Sequence, residues 1–241
     1  MSISYLIALL IRDPLIIICT AIMGSVSVIV ALWDKNGDSQ LRVARIWARM
    51  LLFCAGASVK TIGLEKLENG VSYVIVSNHV SYMDTPVLLA HLPLNFRFMA
   101  KQELFKAPFI GPHLTKAGHI SVPLDDWRAA LKVLATVGVI LVERGQSVLM
   151  FPEGGRSPNG ELQEFKDGAA YLAIKGNVKL LPVCIVGIHD VLPMHSGHMR
   201  PGKVTLRIAD PIDVAGLRTS DRVELTDRLK NTIREMQLLG R

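Results

Sequence analysis

The sequence contains few of the residues that build cross-linked or metal-bound proteins. Three of its 241 residues are cysteines, Cys19, Cys54 and Cys184, and no two of them form a C-x-x-C pair. An odd and widely spaced set of cysteines indicates neither a disulfide framework nor a zinc site. Each cysteine stands in an apolar run, so we expect small buried hydrophobic side chains and an active domain that faces a reducing compartment.

Aromatic residues are also scarce, and the positive charge is not concentrated in one place. Aromatic side chains make up 6% of the chain, and Lys and Arg are spread along it without a basic tail. Both features disfavour nucleic acid as a partner, because its binders need stacking platforms and a clustered basic surface. The formal net charge of +6 favours acidic lipid or a phosphorylated substrate, with a solvated basic surface as the alternative.

Charge is absent from one long segment near the N-terminus. Residues 14–33, PLIIICTAIMGSVSVIVALW, contain no charged side chain, and about twenty residues are enough for a helix to cross a hydrocarbon core. A signal peptide is disfavoured, because no basic segment precedes this run and the run starts late. A full span, a hairpin that dips into one leaflet, and a core helix of a soluble protein remain open.

A second helix is predicted over residues 40–58, after the turn signal NGDSQ. Arg42, Arg45 and Arg49 recur at spacings that place them on one helix face, and large apolar residues supply the other. Such a helix suits the headgroup boundary of a membrane. These arginines also favour a cytoplasmic C-terminal side for the apolar run. Residues 1–60 are therefore predicted to form an N-terminal two-helix membrane module.

The remaining residues, 61–241, alternate between short β-rich runs and longer segments of helical periodicity. This alternation predicts one α/β domain whose sheet is mixed and largely parallel and is flanked by helices. The predicted strands are 71–77, 96–100, 120–122, 147–151, 180–187 and 203–208, and the predicted helices are 85–91, 127–144, 168–175 and 217–237.

The segment Asn78-His79-Val80-Ser81-Tyr82-Met83-Asp84 directly follows the first predicted strand. Histidine is the side chain best suited to proton transfer at neutral pH, and a carboxylate can fix its tautomer. On a regular helix, five residues would separate the two side chains by about 140°. They meet only if His79 lies in the turn and Asp84 in the helix. The alternative is a loop histidine beside a helix that Ser81 or Asp84 begins.

Three more segments stand at predicted strand ends, where open α/β sheets usually bind ligands. In Phe151-Pro152-Glu153-Gly154-Gly155-Arg156-Ser157, the glycines allow close backbone approach and the arginine offers a fork for phosphate; a turn with solvated side chains is the alternative. Lys101 is either a phosphate binder or simply solvated. The segment 181–187 is either the wall of an apolar groove or sheet core.

Taken together, N-H-x-S-x-x-D at 78–84, F-P-E-G-x-R-S at 151–157 and the Pro-Val pair at 182–183 resemble the glycerophospholipid acyltransferase family. The bacterial 1-acylglycerol-3-phosphate acyltransferases are the members most similar. The resemblance covers roughly residues 60–210, and the two N-terminal helices look like the membrane-docking motif of the bacterial members. It implies the glycerolipid acyltransferase fold and the cytoplasmic face of the cell inner membrane as the location.

The resemblance also implies the roles of the site residues. His79 is the general base that takes the proton from the acceptor hydroxyl as it attacks a thioester, and Asp84 orients it. The remaining substrate-binding set comprises Asn78 and Ser81, which shape the pocket, Lys101 and Arg156, which bind the acceptor phosphate, and Glu153, Gly154 and Ser157, which complete its site. No metal, cofactor or acyl-enzyme is implied. The expected partners are membrane phospholipids, lysophosphatidic acid, and acyl-CoA or acyl carrier protein.

One position departs from the family pattern. In the block Gly118-His119-Ile120-Ser121-Val122-Pro123-Leu124, Leu124 stands where the family usually has an arginine associated with acceptor phosphate. Either other cations compensate, namely Lys101, Lys116, Arg128 and Arg156, or the acceptor is a different lysolipid.

Three rival interpretations remain. A serine hydrolase would need a G-x-S-x-G nucleophile elbow, which the sequence lacks. A metal site at His189, His195 and His198 matches no standard ligand spacing, so a polar loop is favoured. A membrane-binding module without catalysis explains the N-terminus and the charge, but it leaves both polar motifs unexplained.

Overall fold

The computed structural model describes residues 3–34, 36–107, 110–123, 125–138, 144–194 and 196–240. In that part of the chain, seven strands form one sheet and helices pack on both of its faces. The strands are β1 (Ala57–Ile62), β2 (Val74–Ser77), β3 (Phe96–Lys101), β4 (Ile120–Val122), β5 (Ser147–Met150), β6 (Leu180–Val186) and β7 (Gly202–Ile208). The helices are α1 (Ile3–Ile7), α2 (Asp13–Val30), α3 (Asp38–Ala55), α4 (Asp84–His91), α5 (Ile110–Lys116), α6 (Trp127–Val133), α7 (Gly168–Gly176), α8 (Ile188–Val191) and α9 (Arg222–Leu238).

The strand order is β1-β7-β6-β2-β5-β3-β4. All neighbouring pairs are parallel except β6 and β7, which run antiparallel. The prediction of a mixed, largely parallel sheet flanked by helices is therefore confirmed. Because β2, β5 and β3 are parallel neighbours, the segments that follow them meet at one edge of the sheet.

Strand β1 was not predicted from the sequence, because the second helix was predicted to run to residue 58 and residues 59–62 were assigned to no element. Helix α3 ends at Ala55 because Gly56 adopts a left-handed conformation with φ +70°. The following residues alternate between half-buried and exposed, as at a sheet edge, and pair in parallel with β7. β1 thus lies across the boundary predicted at residue 60.

The central strands are apolar because both of their faces are covered. Val74 and Val76 of β2 point into one core with α7 and α9, whereas Ile75 points into the other core with α3 and α4. All three side chains are fully buried, and each such burial stabilises the fold by about 1.5–3 kcal/mol. This rigid centre carries the polar turn that follows β2.

The N-terminal helices form a long apolar arm. Residues Tyr5–Val30 make 26 helical residues that contain an 18-residue window of mean hydropathy 2.2, 11% of it buried, so their length and composition allow them to cross a membrane. Helix α2 packs against α3, and two hydrogen-bonded contacts connect them. Trp47 donates to the Thr20 hydroxyl (3.1 Å), and Gln40 donates to the Ser27 carbonyl (3.4 Å).

The predicted cationic face of the second helix needs one correction. Arg42 and Arg49 are exposed, but Arg45 turns inward and donates to the carbonyl oxygens of Leu92 (3.2 Å) and Leu94 (2.7 Å). Burial, followed by the charge of Arg49, lowers the pKa of Arg45. Arg45 therefore connects α3 to the end of α4, and its guanidinium is not directed toward lipid headgroups.

Several predicted boundaries were wrong by a few residues, and one predicted helix changes type along its length. The helix predicted over 127–144 is α6 followed by a π-helical turn at Leu134–Gly138; residues 139–143 lie outside the described residues.

Cys184 is fully buried in β6, and burial raises the pKa of its thiol to about 12. Cys19 and Cys54 are only half-buried, because α2 and α3 cover each other incompletely.

Candidate functional site

The His79–Asp84 pair forms at the junction between β2 and α4. β2 ends at Ser77 and α4 begins at Asp84, so His79 lies in the turn and Asp84 in the first turn of the helix. Nδ1 of His79 is 2.7 Å from Oδ2 of Asp84. This is the one layout in which the five-residue spacing allows contact.

Asp84 is held by more than the histidine. Its side chain is completely buried, and the same Oδ2 accepts the backbone N–H groups of Val80 (2.7 Å) and Ser81 (2.9 Å). No group among the described residues bonds its Oδ1. An anchored carboxylate at Nδ1 keeps the proton on that nitrogen, so Nε2 of His79 is left as the proton acceptor.

Phe151 fixes the plane of the imidazole. The rings of His79 and Phe151 stack with centroids 3.9 Å apart and an interplanar angle of 14°. The His79 side chain is 16% exposed and lines a cavity. With one face covered by a ring and Nδ1 bound to Asp84, the open edge of the imidazole can meet a ligand.

Glu153 supports the turn that carries His79 and is not among the residues that line the cavity. Its buried carboxylate accepts the N–H of His79 at Oε1 (2.7 Å) and the N–H of Gln163 at Oε2 (3.1 Å). Burial raises the pKa of Glu153, while these two backbone bonds lower it. The sequence interpretation placed Glu153 in the acceptor phosphate site. Because both oxygens already bind protein, we infer that Glu153 positions the His79 turn, and its part in the acceptor phosphate site stays a prediction.

Asn78, Ser81 and Ser157 are likewise structural supports of the site. Asn78 exchanges two hydrogen bonds with the backbone of Ile185 in β6 (2.9 and 2.8 Å). Ser81 donates to the carbonyl of Leu192 (2.9 Å). The Ser157 N–H donates to the His79 carbonyl (2.8 Å). All three side chains are buried, so they shape the pocket without lining it. The segment 181–187 is sheet core.

Three cations surround the mouth of the cavity. Arg156 lies over the Tyr82 ring at 3.6 Å, and Lys101 stands at the end of β3 within 4 Å of two exposed carboxylates. Lys166, which the sequence interpretation missed, also lines the cavity. Gly154 has φ +74°, and a Cβ there would lie 3.0 Å from the Lys166 ammonium. Among the described residues, Arg156 and Lys166 form no ion pair.

The cavity itself has a volume of about 600 Å³ and is lined mainly by apolar side chains. It runs from His79 and the 151–156 segment to the inner sides of α2, α3 and α5. A cavity of this size and lining suits an apolar ligand with a few polar contacts. His79, the cations and the apolar space therefore form one continuous site.

A family model described as Acyltransferase matches residues 58–186. The matched segment is more than half of the chain and contains the whole turn around His79 and the segment 151–157. This chain belongs to the acyltransferase family. It is accordingly an enzyme of acyl transfer, and the resemblance inferred from its two polar motifs is confirmed.

Individual acyltransferases agree with the family match. The 1-acyl-sn-glycerol-3-phosphate acyltransferase alpha of Ovis aries is 28% identical over 205 residues, which cover 83% of this chain and 71% of that protein. A 1-acyl-sn-glycerol-3-phosphate acyltransferase of Chlamydomonas reinhardtii is 34% identical over 175 residues, covering 70% and 52% of the two chains.

The fold is shared with a solved acyltransferase structure. The 1-acyl-sn-glycerophosphate acyltransferase PlsC of Thermotoga maritima superimposes with a TM-score of 0.71 at 23% identity. The superposition covers 93% of this chain and 97% of that chain. The similarity therefore extends over the N-terminal helices as well as the sheet.

The rival metal site finds no support in the described part of this acyltransferase. His198 bonds Asp13 through Nδ1 at 2.7 Å, and His189 packs beside Gly160. His195 lies outside the described residues. Within those residues, no three His, Cys, Asp or Glu side chains form a cluster that could hold a metal ion.

We predict that Glu153→Gln slows catalysis without weakening substrate binding. The amide replaces one acceptor oxygen, so one of two buried N–H groups loses its partner, at a cost of about 1–3 kcal/mol. In an acyl-transfer assay we expect kcat to fall about tenfold, KM to stay nearly constant, and the unfolding midpoint to drop by several degrees. Glu161→Gln, an exposed neighbour, is the control. A raised acceptor KM with unchanged kcat would return Glu153 to the substrate site.

Proposed function

We propose that this acyltransferase moves a fatty acyl group from a thioester to the free hydroxyl of a lysophospholipid. The first-choice acceptor is 1-acylglycerol-3-phosphate, and the product is then phosphatidic acid. The relatives from Ovis aries and Chlamydomonas reinhardtii are named for that acceptor. The observation that carries the proposal is the 2.7 Å contact between His79 and Asp84 on the wall of an apolar cavity.

The proposed reaction is a direct transfer. Nε2 of His79 takes the proton of the acceptor hydroxyl while the hydroxyl oxygen attacks the thioester carbonyl carbon. The Asp84 carboxylate stabilises the imidazolium that forms. The tetrahedral intermediate then expels the thiolate, which receives the proton from His79. The products are a new ester and a free thiol, and all of their atoms come from the two substrates.

The cations at the cavity mouth are the proposed site for the acceptor phosphate. Arg156 can bind phosphate with a two-pronged fork, and Lys101 and Lys166 add point charges. Leu124, where the family usually has arginine, lies outside the described residues. We propose that Lys166 binds the acceptor phosphate in place of that arginine, because Lys166 lies beside Gly154 and lines the cavity together with His79 and Arg156.

Acyl-CoA and acyl carrier protein are both compatible donors, since each ends in a phosphopantetheine thioester. The apolar arm of Tyr5–Val30 supports membrane association, where both lipid substrates reside. Exposed Arg42 and Arg49 follow that arm and favour the cytoplasmic face under the positive-inside rule. We propose the cell inner membrane as the location.

An acceptor panel tests this function. The purified protein would be given palmitoyl-CoA with lysophosphatidic acid, with lysophosphatidylethanolamine, or with monoacylglycerol, which lacks the phosphate. We expect the highest kcat/KM with lysophosphatidic acid and the lowest with monoacylglycerol. A clear preference for another lysolipid would mean that Leu124 marks a changed acceptor, which is the second candidate function.

We predict that Lys166→Met weakens acceptor binding selectively. Loss of one charge-assisted contact near the surface costs about 1.5 kcal/mol, so KM for lysophosphatidic acid should rise about tenfold. KM for monoacylglycerol should stay constant, because that acceptor offers no phosphate. Lys175→Met, an exposed lysine of α7 outside the cavity, is the matched control. Equal effects on both acceptors would contradict a phosphate contact.

A further inference from the structure

A cluster of polar side chains lies in the apolar part of the cavity, away from His79 and from the three cations. It consists of Ser27 on α2, Gln40 on α3, His113 on α5 and His119 before β4. Ser27, His113 and His119 line the cavity directly. The two imidazole rings lie 5.6 Å apart. The proposed chemistry at His79 uses none of these groups.

His119 presents a hydrogen-bond donor to the cavity. Its Nδ1 accepts the backbone N–H of Phe98 at 3.0 Å, so the ring proton resides on Nε2. Burial, with the neighbouring His113 and Arg97, holds the pKa of His119 well below its ordinary value, and the ring is neutral. No acceptor for the Nε2 proton occurs among the described residues.

His113 presents a second polar nitrogen. Its Nδ1 lies 2.6 Å from the Ser27 hydroxyl, which also receives the Gln40 amide at 3.4 Å. Burial lowers the pKa of His113, so its Nε2 is a donor in one tautomer and an acceptor in the other. Oε1 of Gln40 is buried and has no partner among the described residues. The cluster therefore does not satisfy its own hydrogen-bonding groups.

The cluster lies well away from the catalytic base. His119 accepts the N–H of Phe98 in β3. Phe98 pairs with Leu149 of β5, and Leu149 pairs with Ile75 of β2, so His119 lies at the level of Ile75. His79 lies beyond the carboxyl end of β2. β4 is three strands from β2, and three spacings of about 4.8 Å put the cluster roughly 14 Å across the sheet. A substituent near a bound thioester cannot reach it.

We propose that Ser27, His113 and His119 form a subsite for a hydroxyl group near the methyl end of the acyl chain being transferred. The inference rests on the proposed function and adds the class of acyl donor that the cavity accepts best. A hydroxyl both donates and accepts a hydrogen bond, which matches the two histidine nitrogens in either tautomer of His113. A plain methyl terminus leaves the Nε2 proton of His119 without an acceptor, which is costly in an apolar cavity.

The first test compares three donors with the intact protein and lysophosphatidic acid: palmitoyl-CoA, ω-hydroxypalmitoyl-CoA and β-hydroxypalmitoyl-CoA. One net hydrogen bond predicts a kcat/KM about fivefold higher for the ω-hydroxy donor than for palmitoyl-CoA. The β-hydroxy donor should gain nothing, because its hydroxyl lies beside the thioester. Equal values for the ω-hydroxy and plain donors would overturn the subsite while leaving the proposed function intact.

The second test uses variants. His113→Phe keeps a ring and removes the nitrogen, so the ratio of ω-hydroxy to plain kcat/KM should fall toward one. His91→Phe, a half-buried histidine of α4 outside the cavity, should keep the wild-type ratio. A preference that survives both His113→Phe and Ser27→Ala would overturn the assignment. Failure to transfer any acyl group to any lysolipid would overturn the proposed function, and this inference with it.

Discussion

Replacing His79 with alanine is expected to lower kcat/KM for acyl transfer at least a hundredfold, since a positioned general base contributes about that much or more. The cavity and the cations at its mouth would remain, so the acceptor should still bind with nearly the same affinity. The loss should therefore appear in kcat. It would be measured as initial rates of phosphatidic acid formation from palmitoyl-CoA and lysophosphatidic acid.

Two controls make this result specific. His91→Ala removes a histidine from the end of α4, outside the cavity, and it should retain activity within about threefold. Circular dichroism of His79→Ala should match the wild type, because the side chain is partly exposed and bonds one partner. A variant that folds normally and keeps most of its turnover would exclude His79 as the base.

The second large effect is expected for Asp84→Asn. The amide oxygen can take the position of Oδ2 and still accept the N–H groups of Val80, Ser81 and Nδ1 of His79, so the tautomer is kept. The negative charge is lost, however, and a neutral amide no longer stabilises the imidazolium that forms when His79 takes a proton. We expect kcat to fall on the order of a hundredfold or more.

The pH dependence distinguishes this cause from simple unfolding. A missing negative charge cannot be restored by added base, so the Asp84→Asn deficit should persist across the neutral and alkaline range. Its unfolding midpoint should stay closer to the wild type than that of Asp84→Ala, which leaves both backbone N–H groups without a partner. Full recovery of kcat at high pH would argue that the charge of Asp84 does not support His79 as the base.

The sequence predicted the part of the site that depends on local order along the chain. His79 and Asp84 share one turn, and the strand before and the helix after them fix their distance. The segment 151–157 follows a neighbouring parallel strand, so its approach to His79 was predictable from the α/β pattern. Short apolar runs bounded by turn signals were enough to place six of the strands.

The parts that were wrong or missed depend on contacts between distant residues. β1 is an edge strand whose alternation is too short to separate it from a helix end. The inward turn of Arg45 requires the carbonyl groups of Leu92 and Leu94, which only the packing of α3 on α4 supplies. The position of Glu153 under the His79 turn was equally hidden, because its sequence neighbours suggest a phosphate loop.

Lys166 and the polar cluster were missed for the same reason. Lys166 follows a long turn, and nothing in its own segment shows that it returns beside Gly154. The cluster joins one residue from each of α2, α3, α5 and the segment before β4. The one indication of the cluster in the sequence is a pair of histidines, His113 in α5 and His119 shortly after it. Such a pair is common on protein surfaces and does not by itself predict a buried cluster.

The most direct test of the central claim is the release of free thiol from palmitoyl-CoA by the wild-type protein, with and without lysophosphatidic acid. Direct transfer at His79 predicts thiol release only when the acceptor is present, with one phosphatidic acid formed for each thiol. Release at the same rate without the acceptor would indicate a hydrolase or an acyl-enzyme. No release with any lysolipid acceptor would contradict the catalytic account altogether.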